Sequence, residues 1–591
     1  MRKSQILTGL LLLGISLTSC GPQINRVGDD RNLTDEEYTI NNIVALDNLE
    51  RVVKTGAKRN KDKEFGLFYH IWHGYHTNGI YNITDLLEND PEALWDYRGT
   101  PNSPYGEFHY WGEPLFGFYN SSDPWLIARH VELLTMAGVD YLVYDLTNAT
   151  IYFDAINAIF AVLDEFQQQG FNVPKVAFYT NTGSGRVIQT VYNTWYKNGL
   201  YENLWYSLNG VKPLIIGKKG DIYNATQNQD LADEILNFFE IKESQWPSDP
   251  GQNLEEGFPW MSWVYPQQNF SGVMSVSLAQ HPGMRMSEGE ISNNGRGFNY
   301  ETYLNETEGF RSGPNFQGQW DNVFANKDSV NNVFMTGFNE WIAIKYADGA
   351  DRVYFVDTFN EEYSRDIEMV NGGYGDNFYI QMLQNMREFG WSDSERFIYP
   401  QVTIDINDEL MSGWNLVKNN FVDFSGDARA RDFISADKIN KLIDNSNRND
   451  IVKTSVTHDK TNLYIKVETA ESLTQYKSDD RSFMNILIGT GATNSFNGFN
   501  YVINRSITNT KTSIEKLDKN YNPTNVGEGK ININGNVLQV EIPLKLIGKS
   551  SKDFNVVIKV SDNVQNPENI LDYYVSGDSA PIGRLGYSYG Y

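Results

Sequence analysis

The sequence predicts an α/β protein, a (β/α)₈ TIM barrel followed by an all-β sandwich domain. Three observations lead there. Between residues 47 and 395, eight short apolar runs are each followed by a polar burst. Segments with apolar residues at helical spacing lie between several of these runs. From about residue 402 the texture changes to alternating, strand-like segments separated by turn residues.

The eight runs are 65–69 (FGLFY), 139–144 (VDYLVY), 176–179 (VAFY), 213–217 (PLIIG), 260–265 (WMSWVY), 273–278 (VMSVSL), 333–338 (VFMTGF) and 353–356 (VYFV). Short, nearly continuous apolar strands indicate a parallel sheet covered on both faces. Helices are predicted over 125–137 and 154–169, which stop at Gly138 and Gly170, and over 230–243 and 378–389. Long loops after the first and sixth runs account for the large size of the barrel. An open doubly wound sheet is the rival topology. In the second domain, 450–469 reads as two alternating strands. Residues 531–542 read as a hairpin with Asn534-Gly535 as a type I′ turn. Further strands are predicted at 483–489, 499–504 and 554–560.

Composition narrows the function. Against 49 Lys and Arg stand 75 Asp and Glu, a formal charge of −26. Such a surface repels phosphate backbones and anionic lipid, so nucleic acid is not an expected partner. Aromatic residues reach 14%, with 13 Trp and 35 Tyr, and only Trp414 among the tryptophans lies in the second domain. Flat rings suit sugars, because a ring packs on the apolar face of a pyranose and leaves its hydroxyls free to hydrogen bond.

The single cysteine, Cys20, rules out an internal disulfide. It follows a charged start (Arg2, Lys3), an apolar segment at 6–17 too short to span a bilayer, and Leu17-Thr18-Ser19. That pattern is a bacterial lipobox. It predicts a signal peptide at 1–20, lipidation of Cys20 and a polar tether at 21–46. The protein would sit in the cell envelope at the outer membrane or cell surface, touching membrane only through its lipid anchor. The barrel would occupy 47–395, the accessory domain 402–591, and the protein would be a monomer.

In such barrels reactive groups cluster where strands end. The first run offers His70, Trp72 and His73, and its long loop adds His109, Trp111 and Glu113. The second gives Asp145 and Asn148, the third Asn181, and the sixth Gln280 and His281. The seventh ends in Asn339, Glu340 and Trp341, and the eighth in Asp357. Carboxylates, amides, His and Trp, without a nucleophilic Ser motif or a phosphate-binding Gly loop, suit glycoside hydrolysis. That reaction needs one protonated carboxyl and one ionised carboxylate. Glu340 is the principal candidate and Asp145 its partner or a hydroxyl-binding group, with Glu113 and Asp357 in reserve. No cofactor is required.

FYHIWHG, WGEP, the DPW before a helix, AGVDYLVYDLTNA and NEW together resemble bacterial proteins of the glycoside hydrolase family 71/99-like group, over residues 47 to 395. The resemblance implies a (β/α)₈ barrel and an endo-acting hydrolase of α-linked glycans. Family 99 endo-α-mannosidases carry a Glu in this NEW motif and a second Glu three residues on. Glu340 matches the first, but Ala343 stands at the second, so the acid or base must come from another strand. The segment from HDKTNLYIKVET through FNYVINR resembles family 9-like carbohydrate-binding β-sandwiches.

Polysaccharide or oligosaccharide is therefore the expected substrate. Two other readings stay open: a glycan-binding lipoprotein without activity, and a metal-dependent polysaccharide deacetylase using His70 and His73.

Overall fold

The computed structural model describes residues 33–590 except 250, 350, 351, 393–399 and 553. The predicted signal segment, Cys20 and most of the tether lie outside the described residues. Among the described residues no helix is long and apolar enough to cross a membrane.

The eight parallel strands of the first part are β1 (Glu64–Tyr69), β2 (Tyr141–Leu146), β3 (Lys175–Thr180), β4 (Leu214–Ile216), β5 (Glu240–Ser244), β6 (Gly257–Phe258), β7 (Val273–Ser277) and β8 (Asn332–Thr336). Neighbours pair in chain order from β1 to β6, β7 pairs with β8, and β8 returns to pair with β1. The ring is open between β6 and β7, where Asn269–Phe270 folds back antiparallel onto β7. An open doubly wound sheet would not return its last strand to its first.

Both strand faces are buried, which is why these strands read as continuous apolar runs. Phe68, Tyr141, Val143, Ala177, Tyr179, Leu214, Ile216, Phe258 and Phe334 fill the inside as one cluster. Their alternating neighbours, such as Leu67, Leu142, Val176 and Met335, pack outward in the main core. The outer layer comprises α1 (Pro124–Ala137), α2 (Phe153–Gln168), α3 (Ser184–Val191), α4 (Lys219–Thr226), α5 (Gln229–Phe238), α6 (Pro314–Ala325) and α7 (Asn377–Gly390). Helix α1 shows the local rules at work. Asp123 caps its start by accepting from Trp125 N–H, Pro124 stands at the first turn, and Gly138 ends it at φ 81°.

Two predicted strands move. The run 260–265 is not a strand. The fifth strand is instead Glu240–Ser244, taken from the end of the segment predicted as helix 230–243. Helix α5 stops at Phe238, and Phe239 turns extended at φ −91° and ψ 151°. Beyond it the chain pairs in parallel with β4, Ile241 opposite Ile215. The run 353–356 is likewise outside the barrel, where Val353–Tyr354 pairs antiparallel with Tyr346–Ala347. FNEW therefore follows the eighth strand, not the seventh.

The second part is a thirteen-stranded sheet rather than a set confined to residues after 402. Ile43–Leu46 joins it by pairing with Gly586–Gly590, Ile43 opposite Tyr587. Ahead of it, helix Asp35–Asn41 starts with a reciprocal capping box between Thr34 and Glu37. Residues 33–46 are thus folded, and the tether reading does not extend to them. The strands predicted within 450–469 form β9 (Ile451–His458) and β10 (Asn462–Thr469), paired as a hairpin. The predicted hairpin at 531–542 forms too, but its central pair is Gly535-Asn536, since Asn534 lies opposite Val537. Only Gly535 has positive φ, 60°, as a type II′ turn requires.

Charged pairs sealed from water tie the two parts together. Asp376, ahead of α7, accepts from Arg584 Nε at 2.7 Å and Nη2 at 2.9 Å, and from Tyr574 O–H at 2.9 Å. Both charged residues are essentially inaccessible. Removing one partner strands the other charge in a low-dielectric site. Asp376→Asn is expected to lower the unfolding free energy by about 3–5 kcal/mol, read from chemical denaturation followed by tryptophan fluorescence. A loss below about 1 kcal/mol would show that the pair is hydrated in solution.

Candidate active site at the barrel mouth

His70 comes directly after β1, and Asn339 and Glu340 come three and four residues after β8. The Asn339 amide fixes their relation. Its Oδ1 accepts from His70 N–H at 2.8 Å and its Nδ2 donates to His70 C=O at 2.9 Å. This side chain continues the β1–β8 pairing past the strand ends and sets Glu340 beside the His70 ring.

Glu340 and Asp145 meet at that ring. His70 Nε2 lies 3.4 Å from Glu340 Oε1 and 3.9 Å from Asp145 Oδ2. Asp145 is oriented by Thr147 N–H, which donates to its Oδ1 at 2.8 Å. Arg365 closes the other side. Its Nη2 donates to Glu340 Oε1 at 2.9 Å and lies 2.7 Å from Oε2. The same Nη2 stands 3.9 Å from Asp357 Oδ1. Its Nη1 donates to His281 Nδ1 at 2.8 Å, and the guanidinium lies 5.3 Å from the Trp260 ring centroid.

The charges follow from these contacts. Burial alone pushes the Glu340 carboxyl up, but Arg365 and His70 outweigh it and hold the pKa below the usual value. Asp357 goes the other way. Burial, then the Glu340 charge, push its carboxyl up to about 6. Its side chain nonetheless keeps 36% exposure, against 4% for Glu340, so it is the more open of the two to a ligand. Burial, and then Arg365, hold His281 well below its ordinary pKa, so its neutral Nδ1 can accept the Arg365 proton. Glu340 is therefore biased toward its ionised form and Asp357 toward its protonated one, and both lie within 4 Å of Arg365 Nη2.

The other predicted residues sort by position. Trp72 is buried 5.2 Å from the His70 ring. His73 Nδ1 lies 3.2 Å from Ser121 Oγ, and its ring is 5.1 Å from that of Tyr119. His109 is sealed between Ser103 Oγ and the Glu107 carbonyl, its pKa pushed down to about 4 by burial. Trp111 and Trp341 stack on each other at 4.7 Å with no exposed face, and their N–H groups donate to Asp366 and Glu368. They are core rings, not sugar platforms. Gln280 is locked into amides of α6 through Asn315. Glu113 is half-buried, its carbonyl accepting from Asn371 N–H. Asn148 is exposed and donates to Tyr152 O–H at 3.3 Å. Asn181 sits partly exposed just after β3. A surface cavity of about 730 Å³, lined by Glu37, Lys58 and Ser392, lies where the chain enters β1 and includes none of these groups.

Sequence reasoning noted Arg365, 25 residues beyond Glu340, only as lying beyond the eighth run and gave it no role. It also missed the half-buried Trp246, stacked on Trp260 at 4.3 Å, and Trp263, 5.4 Å from His281. The cluster of Trp in 246–263 was the available signal, and reading 260–265 as a strand obscured it.

No protein-family model matches the chain, and no curated protein matches it. Among solved structures it is similar to the GH99 endo-alpha-mannosidase from Bacteroides thetaiotaomicron, at 14% identity over 56% of this chain and 98% of that one, with a TM-score of 0.31. It is also similar to a family 9 carbohydrate binding module from Caldicellulosiruptor kristjanssonii in complex with cellotriose (12% identity, 32% and 80% covered, TM-score 0.15). A further similarity is to alpha-L-fucosidase isoenzyme 1 from Paenibacillus thiaminolyticus (10% identity, 82% and 96% covered, TM-score 0.21). Scores this low carry no argument about activity, which rests on the geometry above.

The raised Asp357 carboxyl has a stability consequence of definite sign. The folded state binds this proton more tightly than the unfolded chain does, so stability falls as pH rises from the ordinary 3.8 through about 6. Asp357→Asn is expected to stabilise the protein above pH 6 by about 1 kcal/mol, after allowing for the solvent exposure of the side chain, and to change nothing below about pH 4. Thermal melts across that range check it.

Proposed function

We propose that this protein is a glycoside hydrolase acting on a polysaccharide or oligosaccharide, with Glu340 as its ionised carboxylate and Asp357 as its proton donor. One observation carries this reading: two carboxyl groups of opposite protonation tendency flank the same Arg365 nitrogen at the barrel mouth. An acid must give its proton to the leaving oxygen, while a base or nucleophile must stay ionised. Asp145, predicted as the partner, lies 3.9 Å from the same His70 Nε2 that Glu340 approaches, and fits a role in orienting that ring or binding a sugar hydroxyl. Half-buried Trp263 lies 5.4 Å from His281 and half-buried Trp246 stacks on Trp260, and a sugar face could pack on them.

The separation of the pair bears on stereochemistry. Glu340 Oε2 is 2.7 Å and Asp357 Oδ1 3.9 Å from one nitrogen, so the two oxygens are no farther apart than those lengths laid end to end. That upper limit on the two nearest oxygens accommodates the retaining spacing of about 5–5.5 Å.

The test is a panel of plant, fungal and algal polysaccharides with reducing-end detection. Wild type is expected to cleave one of them with kcat/KM falling as pH rises through about 6, where Asp357 loses its proton. Asp357→Asn should cost roughly 10²–10⁴ in rate on unactivated substrate, and Glu340→Gln at least as much. Proton NMR of the first product should show retained anomeric configuration. Cleavage by Glu340→Gln at the wild-type rate would overturn the assignment.

A second reading, a glycan-binding protein without activity, is favoured by the near-complete burial of Glu340, only 3% exposed, against Arg365. Retention of a polymer without cleavage by any preparation would establish it. The deacetylase reading has less support, because among the described residues the groups of three or more ligands able to hold a metal include neither His70 nor His73. The N-terminal lipobox supports the further proposal of a lipid anchor at Cys20 in the cell envelope. Radiolabelled palmitate should enter the wild type and not Cys20→Ala.

A further inference from the structure

Where α1 of the barrel packs on the thirteen-stranded sheet, five carboxyl groups converge far from the mouth. Glu132 comes from α1, Asp423 and Asp427 from the segment after the edge strand Asn420–Val422, Asp450 from the start of β9, and Asp578 from near the C-terminus. Oxygens of Glu132, Asp423 and Asp427 all lie within 4.8 Å of one another, and so do those of Asp427, Asp450 and Asp578. Asp427 belongs to both sets.

These groups are sealed and under-partnered. Glu132, Asp427 and Asp578 have no accessible surface. Among the described residues, neither oxygen of Glu132 nor of Asp427 has a hydrogen-bond partner, and one oxygen each of Asp423, Asp450 and Asp578 also lacks one. The remaining oxygens take backbone donors: Ile451 N–H to Asp578 at 2.6 Å, Gly426 N–H to Asp450 at 2.8 Å and Phe424 N–H to Asp423 at 3.0 Å. Two cations stand nearby. Arg129 Nη1 is 3.8 Å from Glu132 and 4.0 Å from Asp427, and buried Lys559 gives its ammonium to the Pro581 carbonyl. Burial, and then mutual repulsion, push all five carboxyls up.

Buried carboxylate oxygens that find no donor cost several kcal/mol each unless a cation satisfies them. The donors here are all oxygen, which suits a hard ion and not the nitrogen and sulfur preferences of zinc or copper. Calcium takes six to eight oxygens at about 2.3–2.6 Å, so oxygens on one ion stand up to about 5 Å apart, the spacing these groups show. We propose that Glu132, Asp423, Asp427, Asp450 and Asp578 form a calcium-binding site that joins the barrel to the antiparallel sheet.

The experiment strips the full protein with a chelator, dialyses it, and adds calcium or magnesium chloride. Stoichiometric calcium should be retained by elemental analysis, and the thermal midpoint should rise on the order of 5 °C at saturating calcium. Asp427→Asn should abolish both effects while its metal-free midpoint equals or exceeds that of metal-free wild type, because a repelling charge is gone. If that variant does not fold, Asp423→Asn should weaken calcium binding roughly tenfold or more in equilibrium dialysis. An unchanged midpoint with no retained metal, a response to magnesium and not to calcium, or full retention by the folded variant would each overturn the proposal.

Discussion

A carboxylate almost without solvent is the constraint around which the barrel mouth is arranged. Glu340 must be ionised or protonated in a place where water cannot share its charge. An isolated buried charge would cost several kcal/mol. Arg365 removes that cost, and much else follows. The chain must leave β8, run outward and return to deliver Arg365, which accounts for the long excursion after residue 340. His281 must be neutral to accept the second guanidinium nitrogen. Asp357, buried and beside the Glu340 charge, keeps its proton to a higher pH, and Arg365 only partly offsets this.

The same economy is visible beneath the mouth. The stacked pair Trp111 and Trp341 hands its two N–H groups to Asp366 and Glu368, the residues on either side of Ile367 in the returning segment. Asp366 also accepts from the backbone N–H of Glu340. Glu368 takes further donors from Tyr119 O–H, and His130 Nε2 lies 3.1 Å from its other oxygen. The returning segment is therefore pinned on both sides of Ile367, just after Arg365. A site on a surface loop gains its precision this way, by bonding to rings and strands that cannot move.

The two halves of the chain are joined by polar groups as well as by apolar burial. Asp376 with Arg584, Asp123 with Arg431, and Arg129 with the Gly577 carbonyl all cross between the barrel and the C-terminal part of the chain. The N-terminal strand Ile43–Leu46 completes that sheet before the chain enters the barrel, so the sheet contains both ends of the described chain. Charged contacts of this kind demand a matching partner and so specify one mutual placement.

Local patterns determined a good deal here. Apolar runs bounded by polar bursts were enough to place β1 to β4, β7 and β8, because a parallel strand covered on both faces must be apolar throughout. The stop at Gly138 marked the end of α1, and strand-end positions singled out Glu340, Asp145 and His70, since barrel chemistry gathers where strands end; Asp357 came from a run that the barrel does not contain. Only the tertiary structure decided which of these carry charge and which pack. The ion pair of Glu340 spans 25 residues, the Trp111–Trp341 stack joins distant loops, and Ile241 became a strand residue through its neighbours in the barrel wall. Proximity of segments far apart in the chain sets a pKa or hides a ring, and no local window of sequence contains it.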